Sequence, residues 1–187
     1  MRTPGFDHIA IAARTLDEGA AWLTERLGIA PEPGGRHPMM GTHNRLLSLG
    51  PGEYLELIAV DPDALPPGRA RWFGLGSFDG SPRLAGWVMR QSPLRAPPGT
   101  TVAEASRGDL RWRITLPDAG QMPQGGAQPM RIDWGGGAHP SDRLTDHGLW
   151  LSGLTLPIDP VPLGDPRIGS GSSFTARIGT PHGEVFL

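Results

Sequence analysis

Glycine and proline separate short apolar runs along nearly the whole chain, and this pattern restricts the fold more than any other feature. There are 28 glycines and 21 prolines among 187 residues, and they punctuate the apolar runs instead of forming low-complexity tracts. Such spacing is typical of many short strands joined by turns. The clearest helical periodicity is in residues 15–27. We therefore expect a protein of short strands with one complete helix.

The first 60 residues predict a β-α-β-β unit. Residues 6–11 alternate between two faces of a strand, with Phe6, His8 and Ala10 on one and Asp7, Ile9 and Ile11 on the other. The spacing of Thr15 and Glu18 is that of a capping box, and Gly28 is suited to a left-handed helix end. The helix has an apolar stripe that we expect to cover the Ile9 face: Leu16, Ala20, Leu23 and Leu27. The His8 face is then free to line a pocket.

The remaining chain predicts further strands. Residues 42–49 and 53–60 form an antiparallel pair around a turn, and residues 31–40 have room for one more strand. A connector over residues 63–83 is expected to pack Trp72 and Phe73 onto the body. Later strands are predicted at 84–90, 101–105, 110–116, 130–134, 149–158, 174–178 and 184–187. The three prolines within residues 92–100 argue against a helix there.

These elements predict a single domain over residues 1–187. Residues 1–62 form a complete first module, residues 63–83 connect, and residues 84–187 form a degenerate second half.

Composition excludes several classes of function. All 17 basic residues are arginine and there is no cysteine, so lysine Schiff bases, thiolate nucleophiles and cysteine-bound zinc are excluded. A net charge of −2 with scattered arginines gives no reason to expect nucleic acid as a partner. No apolar segment reaches the roughly 18 residues of a membrane span. We expect a cytoplasmic protein whose partner is a small molecule, with no membrane involved.

His8 and Glu56 are the leading candidates for chemistry. Each interrupts an otherwise apolar strand, and a carboxylate among Leu55, Leu57 and Ile58 is costly to bury unpaired. They are expected to form either two ligands of a metal or a hydrogen-bonded acid–base pair. The alternative for Glu56 is a cross-strand ion pair with Arg45.

Other candidates each have a structural alternative. His43 is a third metal ligand or a solvent-facing residue at the start of a strand. His139, after three glycines, is a mobile acid–base group or the flank of a short helix that begins at Ser141. Trp87 and Trp134 belong to the core, or they line a pocket that takes a flat ligand.

The chain resembles the vicinal-oxygen-chelate (VOC) superfamily, and within it the glyoxalase-like domain proteins. The resemblance is carried by Phe6-Asp7-His8-Ile9-Ala10-Ile11, the segment Leu16–Leu23 with Leu27-Gly28, Gly35-Arg36-His37-Pro38, Gly41-Thr42-His43-Asn44-Arg45, Tyr54-Leu55-Glu56-Leu57, Gly86-Trp87, Ile132-Asp133-Trp134 and His139-Pro140. It implies an α+β fold in which repeated βαβββ modules, the later ones with shortened helices, form a curved antiparallel sheet cup. Cups of this superfamily often form across subunits, so the resemblance also implies a homodimer.

The resemblance implies a divalent metal, Fe, Mn, Ni or Zn, and no organic cofactor. His8 matches the ligand of the first strand and Glu56 that of the last strand, with His43 or Asp133 completing the set. In the second half Trp87 stands where a ligand histidine is expected and Leu187 where a carboxylate is expected.

The candidate catalytic residues are Glu56 and His139, and the candidate substrate contacts are His43, Arg45, Trp87 and Trp134. The expected activity is that of a lyase, isomerase or dioxygenase acting on a vicinal-oxygen substrate. The alternative is a metal-free protein that binds an aromatic or drug-like molecule.

Overall fold

A computed structural model describes residues 5–187 as a curled eight-stranded sheet with a four-stranded sheet packed on one face. The elements in chain order are β1 (Gly5–Ala12), α1 (Leu16–Leu27), β2 (Glu32–His37), β3 (Thr42–Ser48), β4 (Tyr54–Val60), β5 (Arg83–Arg90), β6 (Thr100–Arg107), β7 (Leu110–Pro117), β8 (Met130–Asp133), β9 (Trp150–Leu156), β10 (Ile168–Ser170), β11 (Thr175–Thr180) and β12 (Gly183–Phe186). Short 3₁₀ turns cover Trp72–Ser77, Pro123–Gly126 and Pro140–Asp142.

The larger sheet consists of two halves of four strands each, which are joined side by side through the pairing of β1 with β5. Its strand order is β2-β3-β4-β1-β5-β8-β7-β6. The two central strands, β1 and β5, are antiparallel, while β1 pairs parallel with β4 and β5 pairs parallel with β8. In chain order, each half thus begins with its central strand, β1 or β5, and continues with three more strands, β2–β4 or β6–β8. This topology confirms the predicted α+β cup of repeated modules.

Helix α1 forms where its caps predict. The Thr15 hydroxyl accepts a hydrogen bond from the Glu18 backbone N–H at 3.1 Å, and Gly28 ends the helix with φ of 73°. The second half of the predicted capping box is absent, because the Glu18 carboxylate pairs with Arg14 instead. The helix lies directly on β4, since a Cβ added at Gly19 would be 2.2 Å from Leu57 Cδ1.

The second half has no α-helix, and the four-stranded sheet covers the corresponding face. Its strand order is β10-β9-β11-β12, and its apolar residues join the same core as those of α1. That core includes Ile9, Leu23, Trp87, Leu151 and Ile178. We call this face of the larger sheet the helix side. The last strand of the second half is β8, so Asp133, and not Leu187, lies on it.

The opposite face, the cup side, has its own apolar cluster. It contains Ala10, Ile58, Val88 and Ile132 from the sheet. Trp72 and Phe73 of the connector insert here as predicted, with 4% and 5% of their surface exposed. The larger sheet therefore has two buried faces, and the cup is largely filled by side chains.

Candidate acid–base site

A bulge in β1 positions the first residue of the site. Phe6 pairs with Met89 and His8 pairs with Val88, so Asp7 has no partner on β5. A bulge adds one residue to a strand and redirects the side chains beside it. Phe6 consequently joins the helix-side core, and Asp7 does not face that side as strict alternation predicts.

The Asp7 carboxylate is fully buried and accepts four hydrogen bonds. Oδ1 accepts from His8 Nδ1 at 2.8 Å. Oδ2 faces Trp134 Nε1 at 3.1 Å, His139 Nε2 at 3.3 Å and Arg90 Nη1 at 3.4 Å. Burial alone would raise the pKa of Asp7, but the bonds from His139 and His8 outweigh it and hold the pKa well below its usual value. Asp7 is therefore a buried carboxylate anion.

His8 and Glu56 meet on the cup side. His8 Nε2 lies 3.6 Å from Glu56 Oε2, and both side chains are almost fully buried. Because ionised Asp7 can only accept, His8 Nδ1 carries a proton, and the second ring nitrogen, Nε2, faces Glu56. The His8 ring also stacks on Tyr54, with the centroids 4.3 Å apart. A carboxylate and an imidazole thus face one gap, which is wider than a direct hydrogen bond.

Asn44 connects Glu56 to the far edge of the cup. Its Nδ2 donates to Glu56 Oε1 at 2.6 Å, and its Oδ1 accepts from Arg107 Nη1 at 3.0 Å. Oδ1 also accepts from the Gly35 backbone at 2.8 Å. The amide therefore orients the Glu56 carboxylate and the Arg107 guanidinium together.

His37 is a neutral imidazole beside this network. Burial lowers its pKa to about 4, with Glu56 opposing and Arg107 reinforcing the shift. His37 Nδ1 lies 3.2 Å from the Thr42 hydroxyl, which also accepts from Trp72 Nε1 at 3.2 Å. Its Nε2 is 3.4 Å from Arg107 Nη1, which can only donate, so Nε2 is the acceptor there.

These groups surround a small internal cavity. Its volume is about 20 Å³, which is room for about one water molecule. It is lined by His8, His37, Tyr54, Glu56, Trp72, Phe73, Arg107, Trp112, Ile114, Ile132 and Trp134. A larger cleft of about 370 Å³ adjoins it, and His37, Trp72 and Trp112 line both. These three side chains stand between the acid–base pair and the larger space.

A family model described as a glyoxalase-like domain matches residues 6–159. The chain belongs to the glyoxalase-like domain family. This membership confirms the resemblance to the VOC superfamily, whose glyoxalase-like fold serves small-molecule enzymes. No curated protein matches the chain.

Solved structures of this fold are similar at low identity. A hypothetical protein from Staphylococcus aureus is 14% identical, with a TM-score of 0.54, over 99% of this chain and 84% of its own. Methylmalonyl-CoA epimerase from Mycobacterium tuberculosis is 19% identical, with a TM-score of 0.42, over 68% of this chain and 85% of its own. A methylmalonyl-CoA epimerase in complex with methylmalonyl-CoA and NH₄⁺ is 17% identical, with a TM-score of 0.43, over 70% of this chain and 93% of its own. These are likenesses of fold.

The structure places several predicted site residues of the glyoxalase-like domain away from His8 and Glu56. Arg45 and His43 alternate with Asn44 along β3, so they face the helix side. Arg45 Nη2 bonds Asp17 of α1 at 2.6 Å, so the Glu56–Arg45 ion pair, the alternative considered for Glu56, is not formed. The pKa of His43 is lowered by partial burial, with Asp61 opposing the shift and Arg36 adding to it.

The predicted tryptophans and His139 have different environments. Trp87 is fully buried on the helix side, where its Nε1 donates to the Ala127 carbonyl at 2.9 Å, so it does not line the cup. Trp134 does line the cavity. His139 caps the turn Pro140–Asp142, with Ser141 N–H donating to its Nδ1 at 3.2 Å. It is fully buried and reaches the site only through Asp7, so it is not the mobile group that the glycine run suggested.

The residues present do not fit a metal held by three or four protein ligands. In the part of the chain that the structure describes, no three His, Cys, Asp or Glu side chains are arranged so that they could hold a metal ion together. On β5 and β8 the cup-side positions are Val88 and Ile132, which are apolar. Asp133 Oδ2 bonds Arg113 Nη2 at 2.8 Å and borders a separate cleft of about 270 Å³. His8 and Glu56 remain as a pair of donors.

Four members of the site are not among the candidates named from the sequence: Asp7, His37, Asn44 and Arg107. His37 was expected only as a loop residue at the rim of the cup. Asp7 had a local signal, since it is a charged residue inside the apolar run that contains His8. Asn44 precedes Arg45, and alternation allows only one of the two to face Glu56. No local signal marks Arg107, because its role arises from the closing of the two edges of the sheet.

Proposed function

We propose that this glyoxalase-like domain is a small-molecule enzyme that transfers a proton at a carbon next to a carbonyl group, as an isomerase or lyase does. The observation that carries the proposal is the buried chain Asp7–His8–Glu56, with His8 Nε2 and Glu56 Oε2 3.6 Å apart at the cavity. Two groups of this kind at one gap allow one to accept a proton while the other donates.

The roles follow from the surroundings of each group. The Asp7 anion holds the His8 ring in one tautomer and stabilises the imidazolium that forms when Nε2 takes a proton. Glu56 is oriented by the Asn44 amide and acts as the base toward the substrate C–H bond. His8 then exchanges the proton with Glu56 or returns it to the substrate. Such groups contribute about 10²- to 10⁴-fold to a rate.

A metal-dependent form of this activity has less support. VOC proteins often use divalent metals, but here two side chains, His8 and Glu56, converge. Thermal unfolding in the presence and absence of Fe, Mn, Ni or Zn ions tests this form. A rise in Tm that a His8→Ala variant lacks would restore the metal hypothesis.

Three tryptophans favour a second function, the binding of a flat ligand without chemistry. Trp72, Trp112 and Trp134 line the cavity, and Trp112 lies 5.3 Å from Trp134 between ring centroids. Ring faces of this kind stack on aromatic molecules. Tryptophan fluorescence titrated with aromatic compounds tests this function, and a response without any catalysed reaction would favour it.

Deuterium exchange tests the enzyme proposal without a known substrate. A panel of ketones, 2-oxo acids and thioesters is incubated in D₂O, and loss of the α-proton is followed by NMR. We expect at least one compound to exchange with the wild type and Glu56→Gln to slow that exchange about 100-fold or more. The matched control is Glu25→Gln, since the Glu25 side chain is 80% exposed. Equal rates for wild type and Glu56→Gln would contradict the proposal.

The homodimer implied by the family remains a proposal, which analytical ultracentrifugation tests. Within residues 5–187, no helix has the length and apolarity needed to cross a membrane.

A further inference from the structure

Arg107 joins the two edges of the curled sheet. It is the last residue of β6, at one edge, and its guanidinium reaches β2 and β3 at the other. Arg107 Nη1 donates to Asn44 Oδ1 at 3.0 Å and lies 3.4 Å from His37 Nε2. The side chain passes close to Gly35, where an added Cβ would be 2.4 Å from Arg107 Cδ. The guanidinium is therefore held at a defined place in the cavity wall.

The charge of Arg107 is not neutralised by the groups that hold it. The Asn44 amide is uncharged, and His37 is a neutral imidazole at pH 7 because burial lowers its pKa to about 4. Among residues 5–187, Arg107 forms no ion pair within 4 Å, in contrast to Arg113 with Asp133 or Arg167 with Glu53. A cation at a partly buried cavity wall attracts an anion more strongly than one in water.

The guanidinium also has unused donors. Both contacts described above use Nη1. Within the described residues, Arg107 Nε and Nη2 form no hydrogen bond. These two N–H groups lie side by side and can together donate to the two oxygens of a carboxylate. Trp72 and Trp112 line the same cavity and supply an apolar surface for the rest of a ligand.

We propose that Arg107 binds the carboxylate of the substrate, so that the enzyme acts on small apolar or aromatic carboxylic acids. The assignment rests on the proposed proton transfer and narrows its substrate class. Asn44 bridges Arg107 and Glu56, with bonds of 3.0 Å and 2.6 Å. A substrate carboxylate on Arg107 is therefore separated from the base, Glu56, by one amide group, that of Asn44. The C–H bond that Glu56 deprotonates is then within a few bonds of that carboxylate in the substrate. The cavity beside Arg107 has room for about one water molecule, so the side chains of Trp72 and Trp112, which line both spaces, move apart when the ligand binds. The body of the ligand then extends between them into the cleft of about 370 Å³.

Binding of matched anionic and neutral probes tests this assignment directly. Calorimetry at pH 7 compares benzoate with benzamide, and propionate with propionamide. We expect the wild type to bind at least one carboxylate tenfold or more tighter than its amide. Arg107→Gln loses that preference, while Arg69→Gln, which changes an exposed arginine, retains it. No preference in either pair, or a preference that survives in Arg107→Gln, overturns the assignment.

A second measurement uses the unaltered protein, because Arg107→Gln also removes a contact between sheet edges. Phenylglyoxal modification followed by peptide mass spectrometry reports the reactivity of each arginine. We expect the bound carboxylate to slow modification of Arg107 about tenfold and to leave Arg69 unchanged. Equal rates with and without the carboxylate overturn the assignment.

The outcome is separable from that of the proton-transfer test. If deuterium exchange depends on Glu56 but the protein shows no preference for carboxylates over amides, the role of Arg107 is overturned and the proton-transfer proposal stands. Carboxylate preference that persists in Glu56→Gln, with no exchange by the wild type, supports the anion site and contradicts the enzyme.

Discussion

Asp7 and His8 are neighbours in sequence, yet their side chains hydrogen-bond at 2.8 Å within one buried cluster. Consecutive residues of a regular strand point to opposite faces. The bulge between the Phe6 and His8 pairings removes this restriction and gives the cup a buried carboxylate–imidazole pair. The chemistry proposed for His8 therefore depends on an irregularity in β1.

Asp7→Asn removes the charge and keeps the shape. The amide cannot accept from His8, His139 and Trp134 as the carboxylate does, and the Arg90 charge loses its partner. We expect the free energy of unfolding to fall by roughly 3 kcal/mol and Glu56-dependent exchange to fall about 100-fold. Urea denaturation and the exchange assay measure both. Asp118→Asn, at an exposed position, is the control, and a variant with wild-type exchange would show that Asp7 does not position His8.

The first half of the fold was predictable because its signals are local. Alternation, the Thr15 cap and Gly28 are read from adjacent residues, and they placed β1, α1 and β4 together with His8 and Glu56. The Asp7 bulge depends on the register between β1 and β5, which no local pattern encodes. Alternation thus put Phe6 and Asp7 on the wrong faces.

The remaining errors arose where distant segments meet. Trp87 was a candidate for the cup, but the four-stranded sheet buries it in place of a second helix. Arg107 gained its role from the meeting of β6 with β2 and β3, whose residues are about 60 to 70 positions earlier in the chain. Closure of a curved sheet is a property of the whole fold, so it could not be predicted from either segment.

Arg45→Ala tests the position of β3 relative to the site. Arg45 bonds Asp17, whose side chain is 90% exposed, and does not reach Glu56. Exposed ion pairs contribute little, so we expect a change within about 0.5 kcal/mol in the free energy of unfolding and no change in exchange. Thermal melts and the exchange assay measure these quantities. A tenfold loss of exchange would mean that Arg45 does support Glu56.

Trp87→Ala tests whether Trp87 belongs to the core. The ring is fully buried on the helix side and donates to the Ala127 carbonyl. We expect a loss of about 3–5 kcal/mol in the free energy of unfolding, measured by urea denaturation. Trp150→Ala is the matched control, because Trp150 is 48% exposed. If Trp87→Ala kept the wild-type stability and weakened ligand binding, Trp87 would be a residue of the pocket and not of the core.

His37→Asn removes a pH dependence from stability. Burial lowers the pKa of His37 to about 4 in the folded protein, whereas the unfolded chain has a value near 6.5. Between these two pKa values the unfolded state binds more protons than the folded state. The contribution of His37 to the free energy of unfolding therefore rises with pH from about 4 to 6.5 and is constant above. The shift corresponds to about 3 kcal/mol at most. Urea denaturation at several pH values should show a flatter profile for His37→Asn. His182→Asn, at an exposed position, should keep the wild-type slope, and an unchanged slope in His37→Asn would mean that folding does not lower the pKa of His37.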